Sequence, residues 1–304
     1  MVVVREDVSA VDAIVRMITW AARVTSGRHD ERALSAPARV NRSAARGTKD
    51  PPTRVCRGGI RIADDRSADL CAGRRYRSTM TGIDARLWIA RESEAFASDL
   101  DAGPLDGRVP YCPDWSLRDL AWHLGRVQRF WAAVVRVGAD IQPEFVTPVP
   151  GPADASELAR WMRASTRDLL DALDATSADS PAWTWWRDDR TVGAIARHQV
   201  QEVAVHRWDA ESVVGTPEPL AEEIADDGLD EFVGIARQLR NPAPIMFTAT
   251  DSGRSVSVSE GTPTVTVSGP ASDLVLLLYG RVSPDAVRVD GDRMTLDAFL
   301  VPVG

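Results

Sequence analysis

The stretch SLRDLAWHLGRVQRFWAAVV, residues 116–135, predicts a long amphipathic helix. Ser116 and Asp119 have the spacing of a capping box, in which each side chain bonds the backbone amide of the other residue. Apolar residues then recur every three or four positions, at Leu117, Leu120, Leu124, Val127, Trp131 and Val134. His123 lies beside this apolar stripe, so the helix carries an imidazole close to its buried face.

Three further segments between residues 80 and 212 have helical spacing. The first follows Met80, with Leu87, Ala90 and Ala97 in phase, the second runs from Ser156 to Leu173, and the third begins at Thr191. A proline-rich connector and a tryptophan-rich loop separate the last three helices. Four helices joined by such connections predict an antiparallel all-α four-helix bundle over residues 80–215.

Composition changes after Gly215. A helix from Pro219 to Leu239 precedes β-like segments at 245–250, 255–259 and 264–268, and an apolar helix follows at 272–279. Asp290-Gly291 in AVRVDGDRMTL has the turn residues of a hairpin, which predicts a last pair of strands. These elements predict a smaller α+β domain over residues 219–304.

Residues 1–79 lack any sustained apolar period and are rich in Arg, Ser, Ala and Gly. Only residues 8–24 have the pattern of a helix, whereas Met80 opens a stretch that looks like an ordinary protein start. We therefore expect residues 1–79 to be a disordered extension, or the product of an upstream start codon.

Composition and charge exclude several classes of protein. The longest apolar runs fall far short of the roughly 20 residues that span a bilayer, and acids and arginines interrupt the N-terminal stretch where a signal peptide would stand. Three cysteines fit no disulfide framework. Residues 1–80 carry 16 basic and nine acidic side chains, and the other 224 carry 20 and 35. We expect a cytoplasmic protein, a monomer or small homo-oligomer, that binds neither membrane nor nucleic acid.

The stretch RHQVQEVAVHRWDAE, residues 197–211, places His198, Glu202 and His206 on one face of a helix whose other faces are mostly apolar. A buried carboxylate must be paired, hydrogen-bonded or bound to a metal. The spacing alone leaves two interpretations: a hydrogen bond to a histidine or to Arg126, or a metal site. His123 on a second helix favours a metal, because two imidazoles and a carboxylate suit Zn²⁺ and leave one coordination position open.

The segments VPYCPDWSLRDLAWHLGRVQRFW and HQVQEVAVHRWDAE resemble the two signature segments of the mycothiol-dependent maleylpyruvate isomerase family. That family has a metal-binding domain with the DinB-like four-helix fold, and ASDLVLLLYGR resembles the helix of its sterol-carrier-like C-terminal domain. The resemblance implies that His123, Glu202 and His206 hold a divalent metal, that His198 only lines the pocket or supports a ligand, and that Arg281 reaches a substrate carboxylate. Arg281 has an alternative role as a partner of a helix C-terminus.

The resemblance further implies an isomerase or thiol transferase that uses mycothiol, activated at the metal, to attack a small electrophile that bears a carboxylate in some cases. Arg126 is another anion-binding candidate, and four tryptophans could exclude water or simply pack: Trp122, Trp131, Trp185 and Trp186. Cys112 is expected to be a small buried hydrophobic residue. Asp209 and Glu211 are expected to be solvated, with orientation of an imidazole as the alternative role of Asp209.

Two other functions stay open from the sequence. One is a non-catalytic protein that binds a metal or a small ligand. The other is a metal-assisted hydrolase, for which His198 is the nearest candidate general base, because the EVAVH segment has no glutamate to spare.

Overall fold

The computed structural model describes residues 84–141, 146, 150–186, 188–239 and 243–300. The extension predicted over residues 1–79 lies outside these residues. The described residues all belong to one compact unit. The predicted domain limits at residues 215 and 219 therefore stay a prediction.

Four long helices form the N-terminal bundle: α1 (Ala85–Ala102), α2 (Leu117–Val137), α3 (Leu158–Ala175) and α4 (Val192–Val214). A short antiparallel pair, β1 (Arg108–Val109) and β2 (Cys112–Ser116), joins α1 to α2. Helix α1 packs mainly against α3 and α4, and α2 packs against the same two helices. The predicted four-helix bundle is confirmed.

Local signals in the sequence fix the starts of the two helices that matter most for the site. The Ser116–Asp119 capping box is present, with both reciprocal hydrogen bonds. Thr191 caps α4 by accepting a hydrogen bond from the backbone amide of Ala194, 3.2 Å away. The predicted apolar stripe of α2 is buried along its whole length. These caps satisfy backbone amides at the first turns of α2 and α4 and so favour helix starts at these residues.

The buried face of α1 differs from the one that its sequence predicts. Leu87 is 51% exposed, whereas Ile89 and Phe96 are fully buried. The cause is Glu92, an acid on the buried face, whose carboxylate lies 2.8 Å from Nε of Arg207. A buried ion pair places polar residues where an apolar stripe is expected, and so it hides the true phase of the helix.

Helix α4 is buried on all sides. Every residue from Ala194 to Ala210 is buried, because α1 and α2 cover one side and α5 (Glu222–Leu239) covers another. Polar contacts accompany this packing: Arg197 Nε lies 2.7 Å from a carboxylate oxygen of Asp227, and Gln201 Nε2 donates to the carbonyl of Ile224 at 2.7 Å. Helix α4 thus lies between the other helices of the bundle and the C-terminal part of the chain.

The C-terminal part contains a four-stranded sheet in the order β4-β3-β5-β6. The strands are β3 (Ile245–Ala249), β4 (Ser255–Ser257), β5 (Val265–Gly269) and β6 (Arg288–Gly291), and β3 and β5 are parallel. Burial alternates along β3 and β5, so that one face of the sheet joins the core. Helix α6 (Ala271–Leu278), rich in leucine, packs on α5 and on this sheet. The predicted bundle followed by an α+β segment is confirmed.

The predicted hairpin at Asp290-Gly291 is wrong. Strand β6 ends at Gly291, and the chain enters helix α7 (Arg293–Leu300). The Asp292 side chain stabilises the start of this helix by accepting hydrogen bonds from the Met294 amide at 3.0 Å and the Thr295 hydroxyl at 2.6 Å. Gly291 has a φ of 107°, which suits a turn into a helix as well as a hairpin.

Within the described ranges, no helix is long and apolar enough to cross a membrane.

Candidate metal centre

Helices α2 and α4 bring His123, Glu202 and His206 together. Glu202 Oε1 lies 3.2 Å from Nε2 of His123 and 3.4 Å from Nε2 of His206. The two imidazole rings meet edge to face, with centroids 5.2 Å apart. One possible ligand atom from each residue lies within 4.8 Å of the other two. The three donors predicted from the sequence therefore converge on one point between two helices.

Burial and hydrogen bonding set the charges of this cluster. Burial opposes ionisation of Glu202, but the hydrogen bonds with His123 and His206 outweigh it and hold the pKa of the carboxyl far below its usual range. Burial alone would lower the pKa of His206, but Asp209 and Glu202 raise it to about 9. Burial lowers the pKa of His123, and the nearby charge of Arg126 acts in the same direction. A buried carboxylate between two imidazoles is a donor set that suits a divalent cation.

Asp209 lies behind His206 on the same helix. Its Oδ2 is 2.9 Å from Nδ1 of His206, and the side chain has no solvent exposure. The expectation of a solvated acid is therefore wrong for Asp209, because α4 is still covered at this point. The carboxylate can only accept, so it holds the proton of His206 on Nδ1 and leaves Nε2 directed toward Glu202.

Arg281, which follows α6, donates to both carboxylate oxygens of Asp209. Its Nε lies 3.1 Å from Oδ1 and its Nη2 lies 2.7 Å from Oδ2. Nη1 donates to the carbonyl of Tyr279 at 2.7 Å, which is the kind of contact expected of an arginine at a helix C-terminus. The residue is almost fully buried. The geometry thus connects the C-terminal part of the chain to His206 through Asp209.

His198 stands apart from this cluster, although it lies on the same face of α4. Its Nδ1 is 3.2 Å from Oε1 of Glu231 on α5. Three tryptophan rings surround it, with centroids 6.1 Å away for Trp131, 5.8 Å for Trp185 and 5.1 Å for Trp186. The row of three polar residues on α4 therefore divides into two environments.

The remaining candidates occupy different places. Trp122 is 40% exposed, and Arg126 is exposed on α2 one turn after His123. Cys112 is fully buried at the start of β2, as expected for a small hydrophobic residue, and burial raises the pKa of its thiol far above the usual range. Glu211 is half-buried and accepts a hydrogen bond from Arg207 at 2.5 Å.

The sequence did not single out Trp115 or Glu231. Trp115 packs against His123, with ring centroids 4.9 Å apart, just before the cap of α2. Glu231 belongs to a helix with many acids, a composition that predicts a solvent-exposed surface. Glu231 is nevertheless buried, because α5 packs on α4. The position of Trp115 next to the capping box was an available signal, whereas nothing local marks Glu231.

Comparison with known proteins identifies a family for part of the chain. Residues 87–211 match the family described as the mycothiol maleylpyruvate isomerase N-terminal domain. Residues 87–211 are therefore a domain of this family. The matched range begins in α1 and ends in α4, and it includes His123, Glu202 and His206. The suspected family is confirmed for this domain.

Two solved structures related to the mycothiol maleylpyruvate isomerase family are similar in fold. One is a crystal structure of the mycothiol-dependent maleylpyruvate isomerase, with a TM-score of 0.56 and 17% identity. The other is a histidine-to-alanine variant, with a TM-score of 0.58 and 16% identity. Each comparison covers 71% of this chain and 97% of the other. At these identities the similarity shows the fold. No curated protein sequence matches this chain significantly.

Proposed function

We propose that this protein is a metal-dependent enzyme that uses mycothiol to isomerise a small electrophile or to transfer the thiol to it. The observation that carries this proposal is the convergence of His123, Glu202 and His206 from two helices of a mycothiol maleylpyruvate isomerase domain. Their donor atoms lie within 4.8 Å of one another.

The three residues fit a divalent metal, and we propose Zn²⁺. Two imidazole nitrogens and one carboxylate oxygen form a set of three protein ligands, which leaves a fourth position for an exogenous ligand. Asp209 supports the fit, because its bond to Nδ1 leaves Nε2 of His206 available. A divalent ion held there would lower the pKa of a bound thiol enough to make it a nucleophile at neutral pH.

The protein's own residues would orient the reactants and exclude water. Trp115 packs on His123 and restricts one side of the cluster. Of the two arginines suggested for a substrate carboxylate, Arg281 would have to exchange Asp209 for the substrate. Arg126 is exposed one turn after His123, and it is the better placed of the two for an anionic substrate. Its charge is near enough to lower the pKa of His123.

Metal analysis of the purified protein tests the ligand set. We expect about one equivalent of metal in the native protein and its loss in His123→Ala and Glu202→Gln. Glu94→Gln is the matched control, because it also replaces an acid with an amide but lies exposed on α1 beside Arg163. Stoichiometric metal in both site variants would end the assignment.

A thiol titration tests the enzymatic part of the proposal. Addition of mycothiol to the Co²⁺-substituted protein should produce a sulfur-to-metal charge-transfer band. Turnover is then measured with mycothiol and maleylpyruvate as the probe substrate. No spectral change at saturating thiol would reject thiol activation and favour a binding protein or a hydrolase.

A further inference from the structure

Arg281 ends a chain of buried polar contacts that begins at the proposed metal ligands. Oε1 of Glu202 lies 3.4 Å from Nε2 of His206, and Nδ1 of His206 lies 2.9 Å from Oδ2 of Asp209. The guanidinium of Arg281 then donates to both carboxylate oxygens of Asp209, at 3.1 Å and 2.7 Å. The chain of contacts therefore joins the cluster on α4 to a cation that follows α6.

The contacts of Arg281 hold it in place and oppose direct binding of a substrate. Its pair with Asp209 is bidentate, an arrangement that fixes both groups in one geometry. Nη1 donates to the carbonyl of Tyr279 at 2.7 Å, and Nη2 also lies 3.8 Å from Sγ of Cys112. The side chain is 4% exposed for Arg281 and 0% for Asp209. An exchange of Asp209 for a substrate would take the arginine from a buried carboxylate, which is costly.

A count of formal charges indicates what Arg281 does where it lies. The carboxylates of Glu202 and Asp209 carry two negative charges, and the imidazoles are neutral when they bind a metal. These two charges alone would cancel those of a divalent ion. Arg281, which is always protonated, adds one positive charge, so the loaded centre would carry a net charge of +1. A buried net charge is unfavourable, and one anion at the open position would remove it.

We propose that Arg281 is a positioning residue that acts through Asp209 and makes the open position of the metal centre select an anionic ligand over a neutral one. This inference rests on the proposed function, in which the anion is the thiolate. Arg281 and His206 both donate to Oδ2 of Asp209, so the guanidinium also limits the negative charge that the carboxylate passes to the imidazole. A less basic imidazole leaves more positive charge on the ion to hold the anion.

The test uses the Co²⁺-substituted protein, whose visible absorption changes when a ligand occupies the open position. Azide is the anionic probe and imidazole is the neutral one. We expect Arg281→Met to retain its Co²⁺ but to bind azide about 10-fold or more weakly than the native protein, because a nearby positive charge is lost. The affinity for imidazole should change by less than about threefold, since a neutral ligand gains little from that charge.

The matched control is Arg197→Met. Arg197 also lies in a buried ion pair between α4 and the C-terminal part of the chain, with Nε 2.7 Å from Oδ2 of Asp227. It does not belong to the chain of contacts that ends at the metal cluster. Azide and imidazole should therefore bind to Arg197→Met as they bind to the native protein.

Two further variants separate the charge of Arg281 from its shape. Arg281→Lys keeps the charge without the planar fork, so its azide affinity should stay within about threefold of the native value. The Asp209→Asn/Arg281→Met double variant loses one charge of each sign, which restores the net charge of +1. At saturating Co²⁺, it should bind azide more tightly than Arg281→Met does.

The outcomes distinguish the inference from its alternatives. Native azide affinity in Arg281→Met would overturn it, and a raised KM for maleylpyruvate in the same variant would assign Arg281 to the substrate instead. An equal loss of azide and imidazole affinity would also overturn it, because that is the result of structural damage. If Arg281→Met does not fold, a 10-fold loss of azide affinity in Arg281→Lys overturns it. A native protein that binds no Co²⁺ would instead overturn the proposed function.

Discussion

The hydrogen bond between Asp209 and His206 determines which imidazole nitrogen is available to a metal. The Asp209 carboxylate accepts from Nδ1 at 2.9 Å, and it also accepts from Nη2 of Arg281 at 2.7 Å. Groups that orient a metal ligand in this way commonly change metal affinity 10- to 100-fold when they are removed. We therefore expect the Asp209 carboxylate to affect metal affinity almost as much as one of the ligands does.

Replacement of Asp209 tests this role. We expect Asp209→Asn to weaken Zn²⁺ binding about 10- to 100-fold, because the amide can donate as well as accept and no longer defines the tautomer of His206. Competition with a chromogenic chelator measures the affinity without any substrate. Asp168→Asn, in an ion pair with Arg136 at the surface, serves as the control. Equal affinity in Asp209→Asn and native protein would contradict the orienting role.

The candidate ligands could be predicted from the sequence because histidine is rare in this chain, with four in 304 residues. His198 and Glu231 illustrate the limit of that reasoning. The helical spacing put His198 in line with Glu202 and His206, but it could not show that the ring turns toward α5. The partner of a buried side chain depends on how helices dock, and Glu231 is separated from His198 by 33 positions.

At the scale of single elements, the helix caps could be predicted from the sequence. The wrong predictions, which concern the buried face of α1 and the segment after β6, each involve an acidic side chain. The capping box of Ser116 and the cap at Thr191 are local, so they can be read directly from the sequence. The phase of α1 was hidden by buried Glu92, and the hairpin after β6 was replaced by a helix that Asp292 stabilises. In the first case a buried acid interrupts the apolar pattern, and in the second an acid caps a helix where the turn residues predict a hairpin.

The end of α1 contains an acid in an unfavourable place. Asp99 is partly buried, and its Oδ2 has no hydrogen-bond partner. Burial and the charge of Glu211 raise the pKa of Asp99 to about 6. A negative charge near a helix C-terminus is also unfavourable. Since ionisation is easier in the unfolded chain, the free energy of unfolding should fall as the pH rises from about 4 to about 6.

The substitution Asp99→Asn should remove this fall in the free energy of unfolding between pH 4 and pH 6. After allowance for partial solvent screening, we expect the variant to be about 1 kcal/mol more stable than the native protein at pH 7. The difference should shrink as the pH falls from about 6 to about 4, because the unfolded chain also begins to take up the proton near its ordinary pKa of 3.8. Urea unfolding at pH 4, 5.5 and 7 measures it. A stability difference that does not change with pH would contradict the assigned cause.

At the scale of the whole molecule, α4 belongs to the bundle and also contacts the C-terminal part of the chain along most of its length. Its N-terminal half contacts α5 through Arg197 and Gln201, and its C-terminal half contacts Arg281 through Asp209. The sequence indicated that α4 is buried, because its faces are mostly apolar, but it could not show which elements cover each side. That arrangement depends on long-range packing that no local pattern encodes.

A double-mutant cycle measures the link between Asp209 and Arg281. Arg281→Met removes the arginine from buried Asp209 and leaves His206 to hold its carboxylate, and we expect it to lower the free energy of unfolding by about 3–5 kcal/mol in the metal-free protein. The Asp209→Asn/Arg281→Met double variant should lose less than the sum of the single variants. Chemical unfolding in the presence of a chelator gives all four values. Simple additivity would show that the pair is not coupled.

The separation of His123 from its partners along the chain has a mechanical consequence. His123 and Glu202 are 79 positions apart, so an ion held by both would close a loop that includes α3 and much of the bundle. Closing such a loop restricts the unfolded chain much as a disulfide does. On the proposed coordination, the ion would act as a reversible cross-link between α2 and α4. The availability of the metal would then affect the lifetime of the folded bundle as well as its activity.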